Sequence, residues 1–131
     1  MELQKHIFFT FCHTISKLRS IDGCPWDKKQ DAKSLKKYIK EECEELFSAI
    51  DKNDPSNLCE EIGDVFFLLI LLSEINSEQN NFTIDDVLKG INDKMIRRHP
   101  HVFAGSANGD EEFLKTQWEK IKSEEKPKKI N

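Results

Sequence analysis

The sequence predicts an all-α protein: a bundle of about five helices forming a single domain over residues 1–125, with a frayed basic tail at 126–131. Three observations predict it. Charged residues make up 34% of the 131 residues, whereas Gly and Pro number only 5 and 4, too few for a chain of many tight β-turns. Apolar residues recur at helical spacing in five segments, and no segment alternates convincingly as a strand. Hydrophobic residues still reach 37%, nine of them Phe, so a chain of one-domain length can bury a core.

The first helix is expected from about Lys5 to Arg19, where Ile7, Phe8, Phe11, Ile15 and Leu18 form one stripe. The turn cluster Ser20-Ile21-Asp22-Gly23 stops it, and a loop from Gly23 to Asp27 follows. A second helix spans about Ala32 to Asp51. A third starts at Pro55 or Ser56, capped by Asp54 or Ser56, and runs to Ser77. The polar linker 78–81 leads to a fourth helix, opened by a Thr83/Asp86 variant of a capping box and ended before Pro100. A Gly/Ser/Asn loop at 105–109 precedes the last helix, about Asp110 to Glu124, whose inner side is Phe113, Leu114, Trp118 and Ile121. No repeat or low-complexity tract interrupts this order.

Composition narrows the function classes. Twenty Lys+Arg against 24 Asp+Glu give a net charge of −4, which argues against coating a nucleic-acid polymer. The longest apolar run, Val65 to Leu72, is far shorter than the ~20 residues of a membrane helix. Cys12, Cys24, Cys43 and Cys59 show no C-x-x-C spacing, and nothing at the start reads as a secretory signal. The expected setting is a soluble, reducing cytoplasm with no membrane partner.

The acidic residues lie where a plain bundle would not put them. At ~100° per residue, Leu35, Tyr38, Ile39, Leu46 and Ala49 fall within roughly 60° of Glu42, and Glu45 sits at the edge of the same face. On the third helix Leu58, Val65, Leu68 and Leu72 flank Glu61, with Asp64 at the edge. Two consecutive helices each turn an E-x-x-[ED] pair toward the core. Two carboxylates ~4 Å apart repel by roughly 4 kcal/mol at an effective dielectric of 20, and burial adds to that cost. Such a group protonates or takes a cation, and hard oxygen donors suit Mg²⁺ or Mn²⁺. The bland alternative is a solvated acidic face. A di-iron centre wants E-x-x-H motifs, and His6, His13, His99 and His101 lie away from both pairs.

Opposite charge follows on the fourth helix. Lys94 and Arg98 share a face at i, i+4 beside Arg97, either as cations at a helix C-terminus or as a phosphate clamp. Trp118 and Lys122 repeat that spacing, as a base platform beside an ammonium or as a core Trp with a surface Lys. Trp26, in Cys24-Pro25-Trp26-Asp27, is a hydrophobic lid or a second base platform. Cys43 has a packing role.

Together these residues resemble the MazG family of nucleoside triphosphate pyrophosphohydrolases. The resemblance rests on GCPWD at 23–27, EECEEL at 41–46, EEIGD at 60–64, INDKMIRRHPHVF at 91–103 and QWEKIK at 117–122, and covers roughly residues 15–125. The acidic pairs alone are weakly specific; the whole set in this order is highly specific. The resemblance implies an all-α, commonly dimeric fold and Mg²⁺-dependent hydrolysis of NTP or dNTP to the monophosphate and pyrophosphate. It implies metal-binding and catalytic roles for Glu42, Glu45, Glu61 and Asp64, and nucleotide-binding roles for Lys94, Arg98, Trp118 and Lys122. Activated water would attack the α-phosphorus with pyrophosphate leaving in line. A homodimer or higher homo-oligomer is also expected from the nearly all-round apolar third helix. Two other functions are compatible with these residues: a non-catalytic helical regulatory or interaction module, and a narrow dUTP or dCTP hydrolase differing only in base selectivity.

Overall fold

The computed structural model describes residues 2–125, so the expected basic tail at 126–131 lies outside the described residues. Every regular element among them is helical: α1 (Glu2–Leu18), α2 (Pro25–Lys29), α3 (Ala32–Asp51), α4 (Pro55–Glu78), α5 (Ile84–Arg98), α6 (Pro100–Phe103) and α7 (Glu111–Glu124). The all-α class holds. The differences from expectation are local. Residues 25–29 form a short helix where a loop was expected, because Pro25 stands at its first turn with φ already set. Pro100 ends the preceding helix as expected and then opens α6 in the same way.

The helix starts follow from side-chain capping. Asp31 accepts from the Ser34 backbone N–H at 2.7 Å, and the Ser34 hydroxyl accepts from the Asp31 backbone N–H at 2.9 Å, a reciprocal box opening α3. Of the two caps considered for α4, Asp54 serves, bonding the N–H groups of Ser56 and Asn57, with Pro55 next. Asp110 caps α7 through the Phe113 N–H. Gly23 is required where the chain leaves α1, since a β-carbon there would lie 2.1 Å from the Leu18 carbonyl oxygen.

The chain divides after Ile84 into two compact units. In the first, α3 packs along α4 and α1 packs against α4. Their shared core is Ile15, Leu35, Leu68, Ile70, Leu71 and Ile75, all buried, with Phe11, Trp26, Tyr38, Ile39 and Phe67 packed around it. The apolar run of α4 is not wholly enclosed. Ile62, Phe66 and Leu69 stay 51%, 43% and 46% exposed on one stripe. Ile62 and Phe66 adjoin Ile7, Phe8 and Phe11 of α1 around an apolar hollow of about 480 Å³.

The second unit holds α5, α6 and α7. Its expected inner residues are less covered than their spacing suggested: Leu114, Trp118 and Ile121 are half-buried and Phe113 is 45% exposed. Glu125, just past α7, ties this unit's helices together through ion pairs to Arg97 and to Arg98. No helix among the described residues is long and apolar enough to cross a membrane.

Candidate active site

The antiparallel run of α3 beside α4 brings the acidic pairs together. Glu42 from α3 and Glu61 and Asp64 from α4 each offer a carboxylate oxygen within 4.8 Å of the others. Glu42 and Glu61 are half-buried and Asp64 is exposed. One oxygen of Glu61, Oε2, is fully buried with no hydrogen-bond partner. Glu45 is exposed and stands outside this group of three, one turn along α3.

The electrostatics register the crowding. Burial, then the charge of Asp64, then those of Glu45 and Glu41 push the Glu42 carboxyl above its ordinary range, against a smaller opposing effect of a hydrogen bond with Glu61. Burial and the charges of Asp64, Glu42 and Glu45 push Glu61 up as well. Three converging carboxylates with an orphaned buried oxygen and no cation of their own suit a divalent ion, and an all-oxygen donor set suits Mg²⁺ or Mn²⁺. The residues present therefore fit the expected metal.

Beside the carboxylates lies a hollow of about 210 Å³, lined by Trp26, Tyr38, Glu42, Asp64, Phe67 and Leu68. Trp26 meets Tyr38 edge to face, with ring centroids 5.1 Å apart. An unexpected staple fixes Trp26. Arg19, at the end of α1, donates to the carbonyl oxygens of Asp27 at 2.6 Å and Gln30 at 2.9 Å, and grips both carboxylate oxygens of Glu78 at 2.8 and 2.7 Å. The bonded Glu78 holds the Arg19 guanidinium above its ordinary range, and Arg19 holds the Glu78 carboxyl below its own. The Gln30 side chain adds a bond to the Trp26 carbonyl at 2.9 Å. Tyr38 was legible as the residue one turn before Glu42. Arg19 carried no sequence signal, because its partners are mostly backbone carbonyls.

In the second unit, the Arg98 guanidinium lies 5.1 Å from the Trp118 ring centroid, and His99 meets the same ring edge-on at 5.2 Å. These residues, with His101, Glu111, Leu114 and Lys115, line a hollow of about 310 Å³. The structure thus joins Arg98 to Trp118, whereas Lys94 and Lys122 are not among the lining residues. Arg98 also holds Glu125 at 2.7 Å, a carboxylate shared with Arg97 and pulled down to about 2, chiefly by its hydrogen bonds to Arg98 and then Arg97. Two features here are not legible in the sequence. His101 buries an unpartnered Nδ1 at the same hollow, and Glu125 meets the arginines from 27 and 28 residues away.

An all-α fold in which three carboxylates meet beside an aromatic-lined hollow defines a helical protein with a candidate cation site. Residues 30–103 match the model of the MazG nucleotide pyrophosphohydrolase domain, and the chain belongs to that family. It is 50% identical over 125 residues to the uncharacterized protein YabN of Bacillus subtilis, covering 95% of this chain and 26% of that one. It is 45% identical over 123 residues to the nucleoside triphosphate pyrophosphohydrolase/pyrophosphatase MazG of Thermotoga maritima, covering 94% of this chain and 47% of that one. The chain therefore spans between about a quarter and a half of the length of these curated relatives. The crystal structure of a MazG-related protein from Thermotoga maritima superposes with a TM-score of 0.73 at 27% identity, covering 88% of this chain and 98% of that one.

Proposed function

We propose that this chain is a Mg²⁺-dependent nucleoside triphosphate pyrophosphohydrolase, with Mn²⁺ an alternative ion, converting NTP or dNTP to the monophosphate and pyrophosphate. The observation that carries this reading is the meeting of Glu42, Glu61 and Asp64 around a buried, unpartnered carboxylate oxygen beside an aromatic hollow. Those three carboxylates would hold the ion, with Glu45 within electrostatic reach. When bound, the ion supplies charge neutralisation at phosphate oxygens.

The chain's own groups supply the rest. Trp26 and Tyr38, packed edge to face, would offer an apolar corner for a base and keep water from that side of the hollow. Lys94, Arg98, Trp118 and Lys122 belong to the second unit, where the cations would neutralise phosphate charge and Trp118 would offer a stacking surface. A phosphate group taken up by Arg98 would displace Glu125 from it. We further propose that a second copy covers the exposed Ile62, Phe66 and Leu69 stripe, and that the protein works in a reducing cytoplasm, where its four cysteines remain thiols.

A panel of NTPs and dNTPs with product identification tests the activity. Monophosphate plus pyrophosphate, dependent on added Mg²⁺, is the expected result. Diphosphate plus orthophosphate would place the cleaved bond elsewhere, and no metal-dependent turnover of any nucleotide would remove the assignment.

A further inference from the structure

The first unit holds a second concavity that the reaction above does not use. Lys29 of α2 and Lys33, Lys36 and Lys37 of α3 line a hollow of about 460 Å³ together with Ser34 and Tyr38. Among the described residues none of these four lysines takes part in an ion pair. The local charge is also out of character: residues 28–40 carry six lysines and one carboxylate in a chain whose net charge is −4. Four exposed lysines around one hollow, none of them in an ion pair, concentrate positive charge that an anion would neutralise.

Two details suggest which anion. Ser34, Tyr38 and Glu42 follow at four-residue intervals on one face of α3, so the lysine hollow and the carboxylates lie within ~12 Å along the helix axis. Tyr38 lines both hollows, with Lys37 Nζ 4.9 Å from its ring centroid. The floor is held in place by the Ser34 hydroxyl donating to Gln30 Oε1 at 2.7 Å and by Gln30 donating to the Trp26 carbonyl. Lysines, with compact charge and three rotatable donors each, suit the non-planar oxygens of a polyphosphate.

We propose that this lysine hollow binds a phosphoanhydride anion, the pyrophosphate released at the neighbouring carboxylates. The source of the anion rests on the hydrolase reading. In that reaction the water oxygen would bond to the α-phosphorus, the bond from the α-phosphorus to the α,β-bridging oxygen would break, that oxygen and the electron pair would leave with pyrophosphate, and the water's proton would pass through a carboxylate to solvent. The product carries several negative charges away from an acidic site, and the four lysines line a hollow in the same unit that shares Tyr38 with it.

Titration of inorganic pyrophosphate in metal-free buffer, followed by calorimetry, tests binding without turnover. Wild-type protein should bind it. Lys33→Gln/Lys37→Gln should weaken binding at least tenfold, while Lys17→Gln/Lys52→Gln, which removes two exposed lysines elsewhere in the unit, should not. Equal binding by both double variants, or none by wild type, would overturn the proposal. Tighter binding of a single-stranded oligonucleotide through the same lysines would replace it with a nucleic-acid surface. A second arm reads product inhibition. An inhibition constant for pyrophosphate that rises by the same factor in Lys33→Gln/Lys37→Gln ties the site to the reaction, and an unchanged constant would contradict that origin. The first arm still reads if the protein hydrolyses no nucleotide.

Discussion

Glu61 keeps one carboxylate oxygen inside the protein with no hydrogen-bond partner, and Asp64 and Glu42 stand against it. Glu61→Gln removes a charge without changing shape, so circular dichroism should stay helical while pyrophosphate release falls by ~10²-fold or more. Retained turnover would take Glu61 out of the site. The same crowding sets a pH dependence. Glu42 and Glu61 titrate above 4.5 in the folded protein, so without metal it binds more protons than the unfolded chain between 4.5 and those raised values. Their contribution to stability is therefore present at low pH and declines as pH rises through that window. Metal-free denaturant melts at stepped pH should show the decline, and Glu61→Gln should flatten it. Arg19 makes a different prediction. Arg19→Lys cannot span both Glu78 and the α2 carbonyls, so KM for nucleotide should rise several-fold more than kcat falls, and Trp26 emission should shift in a Trp118→Phe background. At this scale the acidic residues were legible because a charge on an apolar stripe shows in the helical period. Arg19 was not, because its partners are carbonyls that any residue would supply and a glutamate 59 residues away.

The long elements were legible from the same period: α3 occupies the expected Ala32–Asp51, and α4 ends at Glu78, one residue beyond expectation. The short ones were not. Neither α2, of five residues, nor α6, of four, is long enough to show a period, and both are set by a proline at the first turn rather than by a stripe. The pairing at the end of α7 was invisible for another reason: Arg97 and Arg98 meet Glu125 across 28 and 27 residues, beyond any local spacing rule. That pairing has a measurable consequence. Glu125 occupies the guanidinium groups a triphosphate would use, so Glu125→Gln should lower KM about two- to fivefold, the scale of a partly exposed ion pair. A raised KM would show that Glu125 orders the arginines rather than competing with substrate. Glu125 titrates near 2 in the folded protein, so its contribution to stability is complete above 4.5 and lost as pH falls toward 2.

For the molecule as a whole, the family is established by the match over residues 30–103, while the activity and the assembly of this chain are proposals. Ile62, Phe66 and Leu69 form an apolar stripe beside α1 that a second copy would cover. Phe66→Asp should shift sedimentation toward a monomer, whereas an unchanged species would place the interface elsewhere. The proposed activity depends most on divalent-ion binding by carboxylates from two neighbouring helices. An ion that binds only the folded state stabilises it by ~2.7 kcal/mol at 100 times its Kd. The most direct measurement is the melting temperature of wild type and Glu61→Gln with and without millimolar Mg²⁺ or Mn²⁺. A rise of several degrees in wild type that is lost in Glu61→Gln is the predicted result; no rise in wild type, or an equal rise in both, would contradict it.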